Sequence, residues 1–218
     1  MADLDPGLIA VLGIAVVFIV WYFAGSIWNR RYARRLANEL RDALLAQGGT
    51  SKVQPFGTTA FRMTTEGANP PLRDLAVVVT LLPREMPLNW GLGLAQGRRD
   101  AAVIEASLRR TPKFAFELVD PESRIGRRRL RATQSWSPLE LGGRQWSVSA
   151  SHERFVEPFL KGLDPGLLEN LSALHVTAGS DSGIAASVGV APGSLKGILG
   201  GLRHLAEALT SSGSGSPP

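Results

Sequence analysis

Residues Leu8 to Trp28 read LIAVLGIAVVFIVWYFAGSIW, 21 consecutive positions without a charged side chain. An α-helix rises about 1.5 Å per residue, so the run covers roughly 30 Å, the thickness of a bilayer's hydrocarbon core. A soluble helix of this length normally keeps a polar stripe, and none is present. Trp21, Tyr22 and Trp28 lie in its C-terminal part, with Trp28 placed for a membrane–water interface. The stretch predicts a single transmembrane helix of a single-pass, signal-anchor type. A cleaved signal peptide is the rival reading, and Ala24-Gly25-Ser26 offers a weak cleavage site. Against it, the preceding MADLDPG holds Asp3 and Asp5 and no Lys or Arg, and the apolar run is long.

Outward from this segment the charges are asymmetric. Two acids precede it, whereas Arg30, Arg31, Arg34 and Arg35 follow it at once. Positive residues stay in the cytoplasm, which predicts the N-terminus outside and everything after residue 29 inside. Asn29 to Gln47 continues with helical spacing, since Ala33, Leu36, Ala37, Leu40 and Leu44 fall on one face, and Gly48-Gly49 stops it. Its five arginines against Glu39 and Asp42 make it a basic amphipathic juxtamembrane helix, read as a topology-holding stalk, a short coiled-coil seam or a helix docked on a partner.

The expected organisation is an N-terminal segment 1–28, the basic helix 29–49, an α+β body over 50–209 that is β-rich to residue 150 and helical with a hairpin over 151–209, and a tail over 210–218 whose SSGSGSPP composition is that of a flexible linker. Within the body, Thr58–Thr65 is a weak strand and Asp74–Leu82 (DLAVVVTLL) a strong one ended by Pro83. The apolar connection from Pro83 to Asp100 holds too much Pro and Gly for a long regular helix. Asp100–Arg109 and Lys113–Val119 read as consecutive strands, and Phe114, Phe116 and Leu118 alternate onto one face. Leu130–Trp136 and Leu139–Leu141 follow as strands, and Gly142-Gly143 turns into Arg144–Ala150.

After that the period changes from 2 to 3.6. His152–Leu163 is helical. Asp164-Pro165 caps a second helix carrying Leu167, Leu168, Leu171 and Leu174. His175–Gly179 and Ile184–Val190 form a hairpin, and Ser194–Leu209 is a strongly amphipathic helix. The order implies helices packed on a largely antiparallel sheet.

The chain of 218 residues has no cysteine and three histidines. Disulfides, thiolate metal sites and a cysteine nucleophile are therefore excluded. His152, His175 and His204 lie far apart, with no zincin-type pair. Gly179-Ser180-Asp181-Ser182-Gly183 resembles the loop around the nucleophilic serine of chymotrypsin-like proteases, but Ser180 stands where that loop needs glycine, and the composition suits a tight turn. Gly91-x-Gly93-x-x-x-Gly97 has neither the dinucleotide spacing nor a P-loop Lys. Asp120 and Glu122 flank a proline turn, and Glu117 lies on a strand. No catalytic residue, metal ligand or cofactor is predicted.

Two surfaces remain as candidates. Trp90, Leu92 and Leu94 are core if buried and a partner-binding or membrane-touching surface if exposed. The run 124–131 (RIGRRRLR) holds Arg124, Arg127, Arg128, Arg129 and Arg131. From residue 48 onward there are 19 basic and 15 acidic side chains, or 14 and 15 without these five, so one loop and the start of a strand carry the positive charge. A solvated hairpin tip, anionic lipid headgroups, an acidic protein or nucleic acid are the competing readings, and no RNA-binding aromatic signature supports the last. The sequence thus predicts a membrane-anchored protein whose cytoplasmic domain is a non-enzymatic interaction or accessory module. Its partners would be the bilayer and a protein. The alternatives are a tethered enzyme whose site no motif reveals, or anionic-lipid or nucleic-acid binding through the arginine run.

Overall fold

A computed structural model describes residues 5–131, 135–150, 153–179 and 181–211. The apolar run and the basic segment after it form one unbroken helix, α1 (Pro6–Leu45). Nothing between Trp28 and Asn29 breaks a helix, so no hinge separates them. The Asp5 carboxylate caps it by accepting from the Gly7 N–H at 2.9 Å, with Pro6 in the first turn. Gly48 and Gly49, at φ 77° and 83°, end the α1 segment in left-handed backbone.

A nine-stranded antiparallel sheet follows, in the order β1-β2-β3-β4-β9-β8-β5-β7-β6. Its strands are β1 (Thr50–Phe56), β2 (Ala60–Glu66), β3 (Leu72–Thr80), β4 (Ala101–Leu108), β5 (Phe116–Val119), β6 (Ser137–Leu141), β7 (Arg144–Ala150), β8 (Leu171–Thr177) and β9 (Gly183–Gly189). The other helices are α2 (Pro87–Ala95), α3 (Arg124–Leu130), α4 (Glu153–Lys161), α5 (Pro165–Asn170) and α6 (Leu195–Thr210). The α+β class and the antiparallel sheet agree with the sequence reading.

One sheet face carries the core. Val77, Val79, Ile104, Ala186, Leu174, Leu118 and Trp146 join one buried cluster with Leu36, Leu40 and Leu44 of α1, Leu160 of α4, Leu167 of α5, and Ile198 and Leu202 of α6. The expected stalk is thus built into the body, from Asn29 onward. Its Glu39 carboxylate accepts from the Gly193 and Leu195 N–H groups, each at 2.8 Å, at the start of α6, where Ser194 offers no side-chain cap.

Several local expectations change. The β1 strand has no counterpart in the sequence reading; its side chains are mostly exposed, so no hydrophobic alternation marks it. Residues 124–130 form helix α3, capped by the Ser123 hydroxyl accepting from the Gly126 N–H at 2.8 Å, so the expected strand beginning at Leu130 is absent there; residues 132–134 lie outside the described residues. Leu171 and Leu174 sit on β8, because α5 stops at Asn170. The two consecutive strands expected over Asp100–Val119 are present as β4 and β5; in the sheet β4 pairs with β3 and β9, and β5 with β7 and β8. The connection 83–100 holds the short helix α2, opened by Pro87. His152 and the tail beyond Ser211 lie outside the described residues.

Candidate functional site

Among the described residues, two groups of buried polar side chains stand out. The first is at the joint between α1 and the β3–β4 connection. Asn29, fully buried, donates through Nδ2 to the Leu82 carbonyl at 3.0 Å and to Glu85 Oε2 at 2.8 Å. Its Oδ1 accepts from Arg84 Nη1 at 3.0 Å, and Arg84 Nη2 meets Asp100 Oδ2 at 2.6 Å. Asp100 Oδ1 also accepts from the Leu82 N–H at 2.8 Å, and Thr58 donates to Glu85 at 3.1 Å. The Arg84 guanidinium lies over the Tyr32 ring, 4.8 Å from its centroid, and over the Trp28 ring at 5.8 Å. Burial, and then the Asp100 charge, push the Tyr32 phenol above its ordinary pKa. Gly25 completes the joint, since a Cβ there would overlap the Arg84 backbone. These groups bind α1 rigidly to the body; they are paired with one another and offer no free reactive atom.

On the outer side of the same helix, Arg30, Arg31, Arg34 and Arg35 are all exposed. At 100° per residue they fall away from the face shared by Asn29, Leu36 and Leu40.

The second is on the sheet's other face. Alternation sends Glu117 away from Phe116 and Leu118, and the register sets it directly opposite His175 on β8 and Ser149 on β7. Glu117 is buried; its Oε1 lies 3.3 Å from Arg129 Nη1 and its Oε2 3.8 Å from His175 Nδ1. That His175 nitrogen is buried without a hydrogen-bond partner. An open groove of about 360 Å³ runs past Glu117, Ser149, His175 and Thr177. A carboxylate orienting an imidazole is the arrangement of a general base, but a proton-transfer contact needs about 2.6–3.2 Å, and this one is longer. Among the described residues, no cluster of three or more His, Asp or Glu side chains is placed to hold a metal ion.

Helix α3 lies over this face, against β5 and β8. Arg124, Arg127, Arg128 and Arg129 are exposed on it and Arg131 at its C-terminal cap, and Arg129 ties it to Glu117. Gly126 lets it sit tightly on the preceding turn, where a Cβ would overlap the Asp120 carbonyl. Asp120, which accepts from the Glu122 N–H at 2.9 Å and pairs with Arg144 at 3.3 Å, fixes that turn. The Glu117→Gln substitution is therefore expected to cost about 1 kcal/mol or less, because Arg129 is more than half exposed. It should also raise the rate of tryptic cleavage within 124–131 several-fold. Unchanged cleavage would show that the ion pair does not hold α3 down.

Trp90, Leu92 and Leu94 all belong to α2 and are not core. Leu92 is 59% exposed and Leu94 49%, while Trp90 is half-buried with its ring 6.2 Å from that of Trp21 on α1. Sequence reasoning missed the joint entirely. Its only local trace is Asn29, which sits at helical spacing from Leu36 and Leu40. No protein-family model matches the chain, and comparison with curated proteins finds no match.

Proposed function

We propose that the chain is a single-pass membrane protein whose α+β body is held at the cytoplasmic surface as a non-enzymatic interaction or accessory module. The observation that carries this reading is the exposure of α1: none of its most apolar 18-residue window is buried. From Leu8 to Phe23 every residue is exposed, a surface far too large and apolar for water. A core helix would be covered. The continuous passage of α1 through Ala24–Ser26 into the buried Asn29 and Leu36 supports a retained anchor, because cleavage there would cut the helix beside its own docking residues.

The arginines at 30, 31, 34 and 35 support the N-outside orientation. A body fixed by such a joint faces the membrane in one orientation, and tethering raises its effective concentration toward other membrane components. The groove at Glu117 and His175 favours the second reading, a membrane-tethered enzyme, and their separation weighs against it. The test uses the cysteine-free background. In intact cells a membrane-impermeant maleimide should label an Ala2→Cys variant and spare Thr111→Cys, and the protein should stay in the membrane pellet after alkaline carbonate washing. Release by carbonate, or the reverse labelling pattern, would overturn the proposal.

A further inference from the structure

We infer that α2 is a second membrane-contacting element, seated among the acyl chains and headgroups of the cytoplasmic leaflet beside α1. The inference rests on the anchored reading above. Helix α2 (PLNWGLGLA) has no charge, and Leu88, at 75% exposure, stands with Leu92, Leu94 and the preceding Met86 on the outside of the body. It is docked against the apolar part of α1: Trp21 Nε1 donates to the Arg84 carbonyl at 3.0 Å, and a groove of about 450 Å³ is shared by Phe18, Tyr22, Phe23, Met86, Pro87 and Leu88.

The depth follows from helix geometry. If Leu8–Trp28 fills the hydrocarbon core, the docking residues Phe18–Phe23 lie roughly 8–15 Å inside its inner boundary, at 1.5 Å per residue. If the boundary is drawn at Trp21 instead, only Leu8–Val20 remains above it, about 20 Å against the roughly 30 Å required. That shortfall of about 10 Å favours the first placement, which sets the exposed leucines of α2 against lipid. The polar groups at this depth fit as well, since Asn29, Arg84, Glu85 and Asp100 are paired inside the protein, as a low-dielectric surrounding requires. Arg98 and Arg99, both exposed, follow α2 directly and suit the phosphate layer. The continuity of the α2 surface with the anchor's own lipid-facing surface selects lipid over a second copy or another protein.

The test labels single cysteines in the full-length chain with an environment-sensitive fluorophore, after reconstitution into phosphatidylcholine–phosphatidylglycerol vesicles carrying doxyl-labelled acyl chains. Ile14→Cys reports the anchor, Leu92→Cys reports α2, and Thr111→Cys, exposed beyond the far end of β4, reports water. Quenching of the Leu92 label comparable to that of Ile14, and several-fold above Thr111, is the expected result. Quenching at Ile14 with Leu92 behaving like Thr111 overturns the α2 inference and leaves the anchor standing. A Leu92 label shielded from both doxyl lipid and aqueous iodide also overturns it, since a protein surface then covers α2. Absence of quenching at Ile14 removes the anchored reading itself.

Discussion

Replacing Arg84 with alanine should destabilise the full-length protein by about 3–5 kcal/mol, the usual penalty for stranding one half of a buried ion pair. Arg84 is nearly buried and Asp100 is 8% exposed, so water cannot replace the lost guanidinium. Three acceptor contacts disappear together: the two Asp100 oxygens at 2.6 and 3.3 Å and Asn29 Oδ1 at 3.0 Å. The stack over Tyr32 goes with them. Arg84→Lys should recover only part of the loss, because a single ammonium cannot span both carboxylate oxygens and the amide. The measurement is denaturant unfolding of the detergent-solubilised chain followed by tryptophan fluorescence, with Asp100→Asn closing a double-mutant cycle. A loss below about 1 kcal/mol would mean that the joint behaves as an ordinary surface pair. The raised Tyr32 pKa adds a pH signature. Its neutral phenol contributes stability that is whole below the ordinary value near 10 and is lost as pH climbs through the raised folded value.

Truncation should separate the exposed apolar run of α1 from the part of α1 that belongs to the fold. A chain starting at Asn29 should fold cooperatively, with mild detergent covering α2, whereas one starting at Thr50 should aggregate or remain unfolded. The reason is the size of the buried surface that α1 supplies. Leu36, Leu40 and Leu44 are fully buried against the sheet and α6. Burying each stabilises by about 1.5–3 kcal/mol, so the three together reach roughly 5–9 kcal/mol, most of the 5–15 kcal/mol by which domains are stable. Glu39, which satisfies the N-terminus of α6, and Gln47, which accepts from Arg203 at 3.0 Å, are lost as well. Dispersed amide resonances and cooperative unfolding from the Thr50 chain would show that α1 is dispensable to the body.

These two expectations differ in how visible their residues were. Leu36, Leu40 and Leu44 were readable as one helix face, because helical periodicity is a local property that needs only neighbours in the chain. The same holds for the strand core of DLAVVVTLL, the Gly142-Gly143 turn with both residues at positive φ, the Asp164 cap and the stripe of α6. The arginine run was read as a loop and the start of a strand, although Ser123 stood ready as a helix cap and arginine is a good helix former. There the isolated Ile125, Gly126 and Leu130 gave no clear period in either direction.

Sequence alone determined the apolar 21-residue helix, the α+β class and most element positions, since each follows from torsional preference, turn chemistry or the spacing of apolar side chains along a few residues. Only the tertiary structure decided which strands are neighbours, and with that the meeting of Glu117 with His175 and of Asn29 with Arg84. Each of those contacts joins residues more than fifty positions apart, and sheet register and helix docking bring them together. A local pattern carries no record of either, because both emerge only when the whole apolar surface is buried at once.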